Sequence, residues 1–207
     1  MHFDQWTFCQ RLADRLCHDF SGTVQGVSST IDLMCEAKDE AERGEALAFL
    51  KQAVAAQTLA LRLARLGFGS GDQASDAAEV RRLGEMMFAG IRPELVWHIA
   101  ETRLPPAAGQ AIIVLLKAAA DILAAGGEAQ IAFDREDGRW RVTLKAVGPR
   151  AVLREDFLAG LLERPSDGLP GRRFQGAWIG ALAQAAGGQV ATEAREGVIS
   201  LHLTGSD

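Results

Sequence analysis

Among the side chains with usable chemistry, His18 occupies the most informative place. It lies in the run Leu16-Cys17-His18-Asp19-Phe20, inside a long helical pattern. Apolar or small residues recur at Trp6, Cys9, Ala13, Leu16, Phe20, Val24, Val27, Ile31 and Met34. Steps that alternate between three and four residues define the seam of a packed helix. At about 100° per residue, His18 is turned roughly 200° from Leu16 and points away from that seam. Asp14, Arg15, Ser21 and Gly22 are its neighbours three and four residues away, and Arg11 and Gln25 extend the same stripe. An imidazole beside a carboxylate, on a polar and uncrowded helix face, is placed to react with something outside the chain. Position alone also fits an ordinary surface histidine.

The other candidates carry less. His98 falls in an apolar strand pattern between Trp97 and Ile99 and reads as structural. His202 alternates with Leu201 and Leu203 and reads as a solvent-facing strand residue, and His2 is terminal. No histidines have metal-ligand spacing, so no metal is expected. Cys9, Cys17 and Cys35 are odd in number and lack C-x-x-C spacing. They read as reduced core thiols of a cytoplasmic protein. Cys17 and His18 do not form a nucleophile–base pair, because adjacent helix residues diverge by about 100°.

The chain has 207 residues, 48% hydrophobic and 24% charged, with a net charge of −5. That balance supports one large domain or two small ones. The acidic charge, with no basic run, argues against a general nucleic-acid binder. The longest apolar stretch, Ala111 to Leu116, is too short to cross a bilayer, and the first residues lack a secretory pattern. Asparagine and tyrosine are absent while Ala, Arg and Gly abound, a bias that suggests a GC-rich bacterial genome.

The elements that must position His18 follow from periodicity. A first helix is predicted over about Asp4 to Glu36, a turn over Ala37 to Glu45, and a second helix from Leu47 to Gly67. Each would be roughly 35–45 Å long at 1.5 Å per residue. Two helices cannot enclose a core between them, so the hairpin predicts a homodimer whose two copies form a four-helix bundle. Gly67-Phe68-Gly69-Ser70-Gly71 reads as a linker, not a phosphate loop, because no strand precedes it. The expected division is 1–68 and 76–207.

In the second part, helices are predicted at Ala77–Ala89, Ala107–Ala125, Ala151–Glu163 and Phe174–Ala186. Strands are predicted at Leu95–Glu101, Glu128–Asp134, Arg139–Ala146, Gln189–Ala194 and Val198–Thr204. A polar loop containing Pro165, Gly168, Pro170 and Gly171 precedes the last helix. The fold class is α+β, the second part being an α/β sandwich with helices on one face of a mixed five-stranded sheet.

These residues resemble a known family. A helical hairpin carrying His-Asp, a glycine linker and this order of elements resembles a bacterial histidine kinase. The run QGAWIGALAQAAGGQVATEAREGVISLHL, from Gln175 to Leu203, is similar to the end of a kinase ATP-binding domain. The run LCHDFSGTVQGVSSTIDLM, from Leu16 to Met34, resembles ChpT-type histidine phosphotransferases more closely still. A kinase of this type needs an asparagine to hold magnesium, and this chain has none; the corresponding stretch offers Lys117 and Asp121. No D-x-G-x-G box is present, and Gly176-Ala177-Trp178 places an indole, expected in the core, where a glycine lid would be. The chain departs from the family at Thr23, where a proline is common, and at Gly22, where kinases carry Thr or Asn.

The resemblance implies a phosphotransferase with no cofactor of its own, using magnesium supplied by a partner receiver domain. A free imidazole titrates near about 6.5, so most of it is neutral and nucleophilic at cytosolic pH. His18 would carry the phosphoryl group between the aspartates of a hybrid kinase's receiver and of response regulators. Asp19 would orient the ring or take its proton, or be a solvated carboxylate without a role. Arg15 would steer an acidic partner or simply pair with Asp19. Arg11, Ser21, Gly22 and Gln25 would form the rest of the docking stripe, with no membrane or nucleic-acid partner. Two other readings fit the same residues: a dimeric scaffold or inhibitor that binds kinases or regulators without catalysis, and an atypical histidine kinase.

Overall fold

The computed structural model describes residues 5–70, 74–162 and 171–206. They fall into two compact units, one running up to Arg65 and the other from Leu66 onward.

The first unit is a helical hairpin of α1 (Gln5–Glu36) and α2 (Glu40–Phe68), the last turn of α2 belonging to the second unit. The turn between them is shorter than the predicted Ala37–Glu45. Asp39 accepts from the Glu42 amide at 2.9 Å, and the Glu42 carboxylate accepts from the Lys38 amide at 2.7 Å. This reciprocal cap starts α2 at Glu40 and converts charged residues that look like a loop into a first helical turn.

The apolar seam of α1 is divided. Leu16, Phe20, Val27 and Met34 are half-buried, whereas Trp6, Val24 and Ile31 are 68%, 55% and 47% exposed. Thr23 and Thr30 face α2 instead: Thr30 is buried, and Thr23 donates to the Gln57 side-chain oxygen across the hairpin. Leu47, Val54 and Leu61 on α2 are likewise exposed. Cys9, Cys17 and Cys35 are free and exposed, not core thiols as expected. They fall on the part of α1 that α2 does not cover.

The second unit is an α/β sandwich. Its elements are β1 (Ser75–Asp76), α3 (Ala77–Phe88), β2 (Glu94–His98), β3 (Arg103–Leu104), α4 (Pro106–Ile122), β4 (Glu128–Glu136), β5 (Arg139–Val147), α5 (Glu155–Leu161), α6 (Gly171–Ala185), β6 (Val190–Arg195) and β7 (Val198–Ser206). The five-stranded sheet has the order β2-β4-β5-β7-β6, with β2 and β4 parallel and the other neighbours antiparallel. Helices cover one face, and alternate strand residues point to it. Ile131, Leu144, Leu201 and Leu203 meet Ile112, Leu115 and Leu116 of α4 in a core from which water is fully excluded. The β4–β5 turn has Asp137 at φ 50° and Gly138 at φ 72°, the left-handed pair that a tight two-residue hairpin requires.

One strand and one helix boundary are corrected. The predicted Leu95–Glu101 strand ends at His98, because the chain then turns to pair β3 with β1 in a separate two-stranded ladder. His98 is consequently exposed at the end of an edge strand and has no structural burial. The predicted helix at Ala151 begins only at Glu155, where Glu155 and Asp156 supply the acidic first turn. Its expected end at Glu163, and most of the polar loop after it, lie outside the described residues.

Candidate functional site

A helix that buries one flank against its neighbour must present the other, and α1 presents His18 there. The side chain of His18 is 85% exposed. Its Nδ1 lies 3.5 Å from Asp19 Oδ1, although the Asp19 side chain is only 21% exposed. Arg15 fixes that carboxylate from one turn earlier, its Nε lying 3.1 Å from Oδ1 and 3.2 Å from Oδ2. Arg15 and Asp19 are thus paired on the surface of α1. A carboxylate beside Nδ1 favours the tautomer with the proton on that nitrogen, which leaves the Nε2 lone pair facing solvent.

The remaining stripe residues are less tightly organised. Arg11 pairs with Asp14 at 3.4 Å on the surface. The Ser21 hydroxyl donates to the Cys17 carbonyl at 2.6 Å, so it is engaged by its own helix. A side chain at Gly22 would meet nothing within 4 Å, and Gln25 is exposed. Ser21 and Gly22 therefore keep the surface beside the imidazole low, and a bulky partner can approach it. Among the described residues, no group of three or more His, Cys, Asp or Glu is placed to hold a metal ion.

In the second unit, of the residues in the stretches that resemble a nucleotide site, Trp178 and Lys117 pack against Phe68, whereas Asp121 is exposed. Trp178 is half-buried and not in the core as expected. Its indole Nε1 donates to the Gly67 carbonyl at 3.1 Å, and its ring meets Phe68 edge-on at 5.1 Å between centroids. Lys117 Nζ stands 5.5 Å from the Phe68 ring centre. The cavity bounded by Ala118, Asp121, Ile122, Val152, Leu153, Arg154 and Phe157 holds only about 10 Å³. Small-molecule sites occupy about 300–1,000 Å³. Among the described residues, two roomier clefts of about 470 and 970 Å³ are lined by none from α4 or α6.

Comparison with solved structures finds the same architecture. A structure described as a bacterial phosphotransferase at 1.7 Å is 19% identical, with 98% of each chain covered and a TM-score of 0.84. The histidine kinase AdeS of Acinetobacter baumannii is 14% identical over 91% of this chain and 97% of its own, with a TM-score of 0.50. The nucleotide-free catalytic domain of histidine kinase ThkA is 14% identical over 65% of this chain and 94% of its own, also with a TM-score of 0.50. These likenesses show a fold shared with the histidine-kinase ATPase domain. A comparison with curated protein sequences gives no match. The family model described as the histidine phosphotransferase C-terminal domain matches residues 77–198, more than half of the chain, and the protein belongs to that family.

Proposed function

We propose that this protein is the histidine phosphotransferase of a bacterial phosphorelay, shuttling a phosphoryl group through His18. The observation that carries the reading is an imidazole 85% exposed on a long helix, with Nδ1 beside the Arg15-bound Asp19 carboxylate. Nε2 attacks the phosphorus of an aspartyl phosphate on the receiver domain of a hybrid kinase. The N–P bond forms, the P–O bond to the aspartate breaks, and the aspartate leaves as a carboxylate. Attack through Nε2 places positive charge on the ring, which the Asp19 carboxylate stabilises at Nδ1–H. The reverse step delivers the group to the aspartate of a response regulator. The receiver supplies the magnesium that neutralises charge on the phosphoryl oxygens. The setting is the cytoplasm, where the exposed thiols stay reduced.

In this reading residues 1–68 are the dimerisation and phosphotransfer domain, and 76–207 form a degenerate ATP-binding-like domain that serves docking. The uncovered apolar residues of α1 and α2 form the surface by which two hairpins make a four-helix bundle. Arg11, Arg15, Ser21, Gly22 and Gln25 meet the receiver.

The test is to incubate the protein with a radiolabelled phospho-receiver and, separately, with labelled ATP. Acid-labile, base-stable label from the receiver and none from ATP supports the relay. A stable complex with receivers but no label gives the scaffold reading its case.

Two further outcomes are expected. Asp19→Asn removes the charge beside Nδ1 and also frees Arg15, so the transfer rate falls about tenfold or more at saturating receiver. An unchanged rate in a rapid-quench measurement would make Asp19 a surface carboxylate. The cavity beside Asp121, bounded by described residues, holds only about 10 Å³, too little for a nucleotide. ATP at 1 mM is therefore expected to give no saturable change in Trp178 fluorescence or in melting temperature. Saturable binding below that concentration would restore the kinase reading.

A further inference from the structure

In the second unit, the cleft of about 470 Å³ lies beside a strand edge that is unpaired among the described residues. The strand is β2, which has β4 on one side only. The Glu94 amide donates to the Gly127 carbonyl at 2.8 Å, so Glu94, and by alternation Val96 and His98, turn their backbone polar groups toward β4. Leu95 and Trp97 therefore turn their N–H and C=O groups to the open side, where an extended chain can pair with them.

The Trp97 side chain marks the same place. It is half-buried and forms one wall of the cleft. Its Nε1 donates to the Ile99 carbonyl at 3.2 Å, which fixes the ring and leaves its face as the surface on offer. The start of α3 and the approach to β3 form another wall. They are tied together by the Ala77 amide on the Thr102 carbonyl at 3.1 Å, and Asp76 caps Ala78 at 2.8 Å. The cleft is thus held open by the fold itself, at a volume within the range of about 300–1,000 Å³ that ligand sites occupy. Glu101 completes the lining, and its Oε2 is buried with no hydrogen-bond partner among the described residues. A buried carboxylate oxygen without a donor is unfavourable, and a ligand N–H brought to it removes the penalty. Arg81 is already held by Glu85 at 2.7 Å, which leaves the carboxylates of Asp76 and Glu101 against Arg103.

We infer that the free edge of β2 and the Trp97 cleft bind an extended peptide segment of another protein, with an arginine of that segment in the cleft. A strand added at β2 places one residue beside Trp97 on the same face of the sheet, with the two Cβ atoms about 5 Å apart. An arginine there lies over the indole face and reaches Glu101 with a planar guanidinium that carries several donors. Main-chain hydrogen bonds to Leu95 and Trp97 hold the segment, and the guanidinium selects it. Such a segment comes from a disordered tail or linker, whose backbone is free to pair. A second copy of this chain fits less well. Antiparallel pairing of β2 with itself about Val96 sets Leu95 opposite Trp97 and brings no donor to Glu101. Binding here does not depend on His18.

The experiment uses the full chain and fluorescein-labelled peptides of about ten residues, alternating valine and threonine around one central arginine. Fluorescence anisotropy is the readout, and light scattering follows the mass of the protein. The arginine peptide is expected to saturate with half-saturation at or below about 100 µM. Glutamine in place of its arginine, or Glu101→Gln in the protein, is expected to weaken binding about tenfold or more. Of two peptides N-methylated along one backbone edge or the other, one is expected to lose binding and the other to keep it. The peptide comparisons use the wild-type chain, so they stand whatever Glu101→Gln does to folding. No saturation by the arginine peptide up to about 1 mM overturns the site. Equal binding of the arginine and glutamine peptides overturns the arginine cleft, and full binding by both N-methylated peptides overturns strand addition. A fall in oligomer mass as the peptide binds assigns the edge to another copy of this chain and overturns the proposed occupant.

Discussion

His18→Gln is expected to lose phosphoryl transfer completely, at least about a hundredfold below wild type, while folding and dimerisation remain unchanged. An amide nitrogen has no lone pair available for attack on phosphorus, so the variant removes the nucleophile and keeps a polar side chain of similar reach. The side chain is 85% exposed, so the substitution belongs with surface changes that shift stability by about 0.5 kcal/mol or less. Loss of label with an unaltered melting temperature therefore reports chemistry and not unfolding. Transfer to His18→Gln at the wild-type rate would move the phosphoryl acceptor elsewhere. Retained signalling by His18→Gln in cells, with receiver binding intact, would favour the scaffold reading.

Val54→Asp is expected to break the proposed dimer. Val54 is 48% exposed in the single chain and lies in line with Leu47 and Leu61, which are 42% and 51% exposed. On α1, Trp6, Val24 and Ile31 show the complementary stripe. A second hairpin laid on these stripes removes both from water. A carboxylate placed at Val54 would then be buried among apolar side chains, at a cost of several kcal/mol. About 4 kcal/mol corresponds to a dissociation constant raised about a thousandfold. Analytical ultracentrifugation at micromolar concentration should show wild type as a dimer and Val54→Asp as a monomer. A wild-type monomer, or a Val54→Asp dimer of wild-type affinity, would remove the four-helix bundle from the account.

What the sequence by itself determined are features set by near neighbours along the chain. The outward orientation of His18 follows from a period of 3.6 residues against the seam, and the structure exposes it accordingly. The Asp137-Gly138 turn and the alternation of β4, β5 and β7 are local in the same sense, and each lies where the pattern puts it. The cap of α2 was also local: Asp39 and Glu42 form a D-x-x-E signal, but the density of charge there looks like a turn.

Other features depended on contacts between residues distant in sequence. The α1 pattern cannot say which of its apolar residues meet α2, and Thr23 and Thr30 take that side through long-range register. A single-chain pattern also contains no trace of what leaves Val24 and Cys17 uncovered, because burial is decided by which surfaces meet. The early end of β2 comes from a ladder that two residues of β3 make with β1, too short to leave a periodic signal. Trp178 reads as core because an indole would obstruct a nucleotide lid, yet it lies half-buried, its N–H donating to the Gly67 carbonyl more than a hundred residues earlier. An indole needs both apolar contact and a hydrogen-bond acceptor, and only the folded chain could supply them together.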